Sequence, residues 1–293
     1  MFRKTAARSS GHSLNLWASI KDFLHSIWLC VSPRYRLLAY SGLMWLGQRI
    51  YGRPCFPGTQ RLPFDLYAKY RCLLPETLAT QYLYEKTSVP VPKVLDVIPL
   101  EGTDEVLMIM NRLPGVMMGR VILEMTQDEL KVLISDTRDC LNQWRSLEPP
   151  SQEEVTGFLG SPLRSFKVYQ DGLIGPFRTK DEFHDRVQSR IHGTEEEEIF
   201  IKQQMDKIRN KQHRIVFTHG DFRLGNILVQ NKRLSGILDW ECCGWMPEYW
   251  EYTTARYFCG LSKEVQPIMK ELFPGYEEEF AADRPLWRYN FPW

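Results

Sequence analysis

The chain lacks an apolar run long enough to cross a bilayer; the nearest stretch, residues 14–31, is broken by Lys21, Asp22 and His25. It also lacks cysteines at metal-ligand spacing. Its seven cysteines are odd in number and scattered, and the adjacent pair Cys242-Cys243 makes no zinc knuckle, so buried thiols in a reducing compartment are expected. Net charge is nearly absent at +1. The charge is uneven, because residues 1–60 hold eight basic side chains against one acid and the remainder is mildly acidic. That distribution excludes a global nucleic-acid footprint. No internal repeat and no low-complexity tract is present, which excludes a solenoid. What remains is ordinary globular composition: 293 residues, 43% hydrophobic and 25% charged, enough for one large domain or two modest lobes with a core.

The most informative stretch runs from Ile215 to Trp240. Ile215-Val216-Phe217-Thr218 reads as a buried strand ending at His219. After a loop, Ile227-Leu228-Val229, a polar turn at residues 230–233, and Gly236-Ile237-Leu238 read as an antiparallel hairpin. Asn226 then sits at one open end of the hairpin and Asp239 at the other, with Asp221 in the preceding loop. A bare hairpin with incidental turn acids explains one such side chain, but not three at this spacing beside a strand. Two carboxylates and an amide oxygen suit phosphoryl transfer. Asn226 and Asp239 supply hard oxygens for Mg²⁺, and Asp221 can accept the proton of an attacking hydroxyl.

The opening His219-Gly220-Asp221 and the wider THGDFRLGNILV…LSGILDWECCGWMPEYWEY resemble the aminoglycoside phosphotransferase family, in its fungal branch. The resemblance extends over about residues 35–290 and implies an α+β, bilobal, protein-kinase-like fold. It divides the chain into a helical extension at 1–48, a small nucleotide-binding lobe at 49–112 and a helical catalytic lobe at 113–293. It also implies an ATP- and Mg²⁺-dependent transfer of the γ-phosphoryl group to a small-molecule hydroxyl. Asp221 is then the base, Asn226 and Asp239 hold the metal, and His219 supports the loop backbone. Asp221 and Asp239 are both expected to be solvent-accessible in a cleft. The alternative is a nucleotide-binding pseudokinase, and a third reading is a peripheral membrane scaffold.

Upstream, residues 14–31 and Tyr35 to Ile50 carry helical periodicity. Both helices are expected to pack on the body of the protein, in preference to an anionic membrane surface. The Arg- and Ser-rich start superficially resembles a transit peptide, against which a frayed tail and a cytoplasmic protein are the preferred reading. Residues 62–69 alternate as one strand with Pro63 at an edge, and a helix follows from about Pro75 to Thr87 with Glu76 on its apolar face. Lys69 and Glu76 match, by position, the strand lysine and helix glutamate that hold ATP phosphates in kinase-like folds. No Gly-x-Gly-x-x-Gly loop precedes Lys69; only Gly52 and Gly58 are near. Residues 94–98 and 106–110 read as strands, and Leu107 to Gly115 resembles the family's hinge, which makes Met110 and Arg112 nucleotide contacts by implication.

Farther on, Thr126-Glu129 and Thr194-Glu197 read as capping boxes opening helices, and residues 148–180 as a long loop region. Between Asp239 and Pro247-Glu248 there is no Ser, Thr or Tyr. So short a link has no room for a phosphorylation-ordered loop, so a constitutively competent enzyme with a small substrate is expected. Oligomeric state and the acceptor's identity are not readable from these residues.

Overall fold

The computed structural model describes residues 22–53, 58–189, 193–259 and 262–287. They fall into two compact units: residues up to Arg71 with Leu95–Met110, and Cys72–Val94 with Asn111 onward.

The first unit is a four-stranded antiparallel sheet backed by helices. Residues 22–30 are helical (α1), and the earlier part of the expected 14–31 helix lies outside the described residues. Helix α2 spans Pro33–Tyr51, with proline in its first turn where the missing N–H costs nothing. The strands are β1 (Thr59–Leu62), β2 (Leu66–Leu73), β3 (Val94–Pro99) and β4 (Glu105–Asn111), in the order β1-β2-β4-β3. Tyr40 of α2 joins Leu62, Ala68, Ile98, Leu107 and Ile109 in this unit's core. Gly47 lets the helix approach β1 closely, since a Cβ there would lie 2.1 Å from the Arg61 carbonyl. The buried pair Arg36–Asp96 fixes α2 to the sheet, and the Trp28 indole, donating to the Tyr40 hydroxyl at 2.8 Å, ties α1 to α2. The opposite face of α2 stays open and apolar, with Leu38 68% and Trp45 58% exposed.

The strand expected over residues 62–69 is in fact two. β1 and β2 pair as a hairpin, Leu62 opposite Leu66, around Pro63-Phe64-Asp65. Phe64 and Asp65 both take positive φ, and Phe64 is 82% exposed at the tip. The apparent alternation counted Phe64 as a core position when it is the turn, and Pro63, which cannot donate to a ladder, marks the break.

The second unit opens with α3 (Leu74–Lys86), whose buried face carries Glu76, Ala79 and Leu83. Next come β5 (Val116–Met117), α4 (Gln127–Arg145), β6 (Thr156–Gly157), β7 (Leu163–Ser165) and β8 (Tyr169–Ile174). They are followed by α5 (Lys180–Gln188), α6 (Glu195–Arg209), β9 (Ile215–Thr218), β10 (Ile227–Gln230), β11 (Arg233–Ile237), β12 (Gly244–Pro247), α7 (Trp250–Phe258), α8 (Gln266–Leu272) and α9 (Glu277–Asp283). Both capping boxes form as expected, at Thr126 for α4 and Thr194 for α6. The region 148–180 is not a loop: it contributes β6 to a sheet with β12 and β9, and β7-β8 form their own hairpin. Strands of two and three residues are too short for alternation to register in a sequence. Trp144, Phe217, Phe222 and Trp240 meet at the centre of this unit's core. No helix among the described residues is long and apolar enough to cross a membrane.

Candidate functional site

Two backbone ladders bring the motif residues together. β12 pairs antiparallel with β9 from Gly244 opposite Thr218 to Pro247 opposite Ile215. The segment leaving β9, His219-Gly220-Asp221, therefore runs beside the segment entering β12, Asp239 to Cys243. Contact is so close at Gly220, where φ is +78°, that an added Cβ would lie 2.2 Å from the Cys242 carbonyl oxygen. β10 and β11 form the expected hairpin, Ile227 opposite Ile237. One further backbone bond, Leu238 N–H to the Asn226 carbonyl at 2.8 Å, closes its open end and sets Asn226 against Asp239.

Asp221 lies at the centre. The Asn226 amide nitrogen donates to its carbonyl at 2.9 Å and to its Oδ2 at 2.8 Å. Arg223, half-exposed, pairs with the same Oδ2 at 3.0 Å. The other oxygen, Oδ1, is buried and has no hydrogen-bond partner. The side chain is 0% exposed, which corrects the expectation that it lies open in a cleft. It lies three residues beyond the fully buried strand β9 and next to the buried Phe222, within the packed interior of this unit. Burial pushes its carboxyl up to about 7; Arg223 opposes the rise and the nearby Asp239 carboxylate adds to it. Asp239 is half-buried and takes a left-handed backbone, φ 68° and ψ 64°, which aspartate tolerates better than most residues.

The loop itself is held by two groups. The His219 ring donates from Nε2 to the Leu238 carbonyl at 2.8 Å and accepts the Asp221 N–H at Nδ1, 3.2 Å away. The imidazole is thereby fixed as a neutral tautomer tying the loop to the hairpin, as expected for a support of the backbone. Glu251, at the start of α7 and 1% exposed, accepts the N–H of His219 at 2.6 Å and of Gly220 at 3.1 Å. Burial raises its carboxyl to about 7, and the two amide bonds pull the other way. Glu251 escapes a reading of the sequence because it stands in an aromatic run, Tyr249-Trp250-Glu251-Tyr252, with no acid-base motif around it. Arg223 was legible as a cation two residues after Asp221. On the rim, Glu241 pairs with Arg164 at 3.4 Å.

The remaining residues read from the sequence lie on other elements. Lys69 is half-buried on β2, in the first unit; Glu76 is buried in the first turn of α3, in the second. Met110 and Arg112, both half-buried, stand at the end of β4 and just after it. Asp221, Asn226 and Asp239 thus form one constellation within one unit.

The phosphotransferase enzyme family matches residues 68–284. No curated relative matches the chain by sequence. Among solved structures, a thermostable mutant of aminoglycoside phosphotransferase APH(4)-Ia, in ternary complex with ADP and hygromycin B, is 13% identical, with 79% of this chain and 78% of that one covered and a TM-score of 0.53. ADP-bound aminoglycoside phosphotransferase APH(2'')-Ib is 15% identical over 83% and 84%, with a TM-score of 0.50. The gentamicin complex of APH(2'')-IIa is 16% identical over 78% and 76%, also at 0.50. At these identities the likeness is one of fold.

Proposed function

Because the chain belongs to the phosphotransferase enzyme family, which spans its residues 68–284, we propose that it moves the γ-phosphoryl group of ATP to a hydroxyl of a small molecule. The observation that carries this reading is the unpartnered, buried Oδ1 of Asp221 beside Asn226 and Asp239. A carboxylate held near neutrality by burial, with one oxygen uncommitted, is suited to orient a hydroxyl and take its proton. Arg223, on the other oxygen, keeps the carboxylate in one orientation and brings positive charge beside the reacting oxygens.

The donor set also fits Mg²⁺. Asn226 commits its amide nitrogen to Asp221, so its remaining side-chain atom is an oxygen acceptor, and Asp239 adds a carboxylate. No group of three or more His, Cys, Asp or Glu placed for a metal occurs among the described residues. Mg²⁺ asks for none, since it is commonly held by one or two protein oxygens together with phosphates and water. When bound, the ion neutralises phosphate charge. Lys69 and Glu76 carry the nucleotide-phosphate roles read from the sequence, and Met110 and Arg112 flank the adenine by backbone contact. Fold neighbours holding ADP support the choice of nucleotide. A small acceptor is supported by the link after Asp239, which becomes strand β12 five residues later, at Gly244, and leaves no platform for an extended peptide.

One observation favours a binding-only alternative: the β1–β2 turn, Pro63-Phe64-Asp65, has no glycine to cradle phosphates. Turnover separates the two. Purified protein is incubated with ATP, Mg²⁺ and a panel of aminoglycosides and cellular metabolites, and labelled product is identified. Asp221→Asn and Asp239→Asn are each expected to cut kcat by about 10²-fold or more while the thermal midpoint stays close to wild type. Either variant retaining near-normal turnover sinks the role assigned to that residue. ATP binding without phosphorylated product across the panel favours the binding-only reading.

A further inference from the structure

Helix α2 is apolar on two faces, and among the described residues only one of them is packed. Its inner face packs Tyr40 on the sheet, while Tyr35, Leu38, Gly42, Trp45 and Arg49 recur at three- and four-residue steps along the outer one. Tyr35 is 69% exposed and Ile50 56%, and Phe23 and Ile27 of α1 add exposed apolar surface ahead of them. A soluble monomer gains nothing from leaving such a stripe in water.

Charge selects the occupant. From Phe23 to Phe64 the chain has five arginines and not one Asp or Glu. Arg36 is buried against Asp96 and Arg34 pairs with Glu101, both acids coming from other elements. Arg49 and Arg53 are exposed, and the Arg49 guanidinium lies over the Trp45 ring at 4.8 Å. The sequence ahead of α1 adds Arg3, Lys4, Arg8 and Lys21, against a single acid, Asp22, at the start of α1. A second copy docked through the same face would set this cationic stripe against itself. An anionic bilayer complements both properties: aromatic and aliphatic side chains enter the headgroup boundary while arginines meet phosphate and serine headgroups. No described helix is long enough and apolar enough to span, so the helix lies on the surface.

We propose that the outer face of α2, extended by α1, is a membrane-surface docking site for anionic phospholipid. This is independent of the phosphotransfer reading and of the residues that carry it. It also extends the membrane reading of the sequence from residues 14–31 to the next helix.

The test is flotation of the full-length protein with vesicles of phosphatidylcholine alone and of phosphatidylcholine mixed with phosphatidylserine. Expected is co-flotation with the serine-containing vesicles, reduced by high salt, and little with the neutral ones. The double variant Leu38→Glu, Trp45→Glu is expected to lower partitioning by at least about tenfold with an unchanged thermal midpoint. Should that variant misfold, the charge variant Arg49→Gln, Arg53→Gln decides, with an expected drop of about tenfold. The proposal is overturned by absence of binding to anionic vesicles, or by binding that a well-folded variant leaves intact. A lipid-free dimer in sedimentation velocity that Leu38→Glu, Trp45→Glu dissolves would assign the face to a second copy and overturn it as well.

Discussion

Glu251 spends both carboxylate oxygens on consecutive backbone amides, those of His219 and Gly220, one residue before Asp221. This single side chain connects the core of the helical unit to Asp221, the proposed base, without bonding to its carboxylate. Two buried N–H donors lose their acceptors in Glu251→Ala, at a cost of roughly 1–3 kcal/mol each. We expect that variant to be markedly less heat-stable and to lose kcat rather than substrate affinity, because Asp221 is no longer held in place. Glu251→Gln keeps one acceptor oxygen and should fall between. Thermal denaturation alongside steady-state kinetics reads both effects; a Glu251→Ala protein with wild-type kcat would mean that His219 alone holds the loop. His219 has the complementary role, its ring joining the Leu238 carbonyl and the Asp221 amide.

At the scale of elements, the hairpin of the candidate site was legible because its signals are local. Asn226 and Asp239 flank two short apolar strands, and antiparallel pairing alone brings them together. Helices α3, α4 and α6 were legible for the same reason, through the proline in the first turn of α3 and the capping boxes of the others. What stayed hidden depends on partners far away in the chain. β6 has two residues and exists because β12 pairs with it, some ninety positions later. The burial of Asp221 comes from packing around β9 and could not be read from a loop sequence rich in polar residues. The turn at Phe64 was misread because its aromatic side chain, exposed at the tip, kept up the apolar alternation.

At the scale of the whole molecule, buried groups oppose one another as acidity rises: Asp221 and Glu251, both raised to about 7, favour the fold as the pH drops, and one buried imidazole works against them. His184 on α5 is 3% exposed and bonds the Tyr249 hydroxyl at 2.9 Å. Burial pushes its pKa down to about 4; Arg209 on α6 and His213 act in the same direction, against Asp181 and Asp185 on its own helix. The unfolded chain therefore binds a proton that the folded one refuses, so His184 adds an acid-dependent loss that begins near pH 6.5 and continues to about 4. By linkage this reaches about 3 kcal/mol at most. Relative to wild type, His184→Gln should have a higher denaturation midpoint near pH 4 than its difference at pH 7 accounts for, and parallel pH profiles in the two proteins would place the titration elsewhere. Strand β12 carries a different consequence. Its backbone is hydrogen-bonded on both edges, to β9 and to β6, immediately after the acid proposed to hold the metal. In a protein kinase the corresponding segment is a loop that phosphorylation orders. Here the amides of residues 244–246 should exchange with solvent deuterium only on global unfolding, among the slowest in the chain. An element that opens no sooner than the fold itself offers no loop at this position for a modification to order.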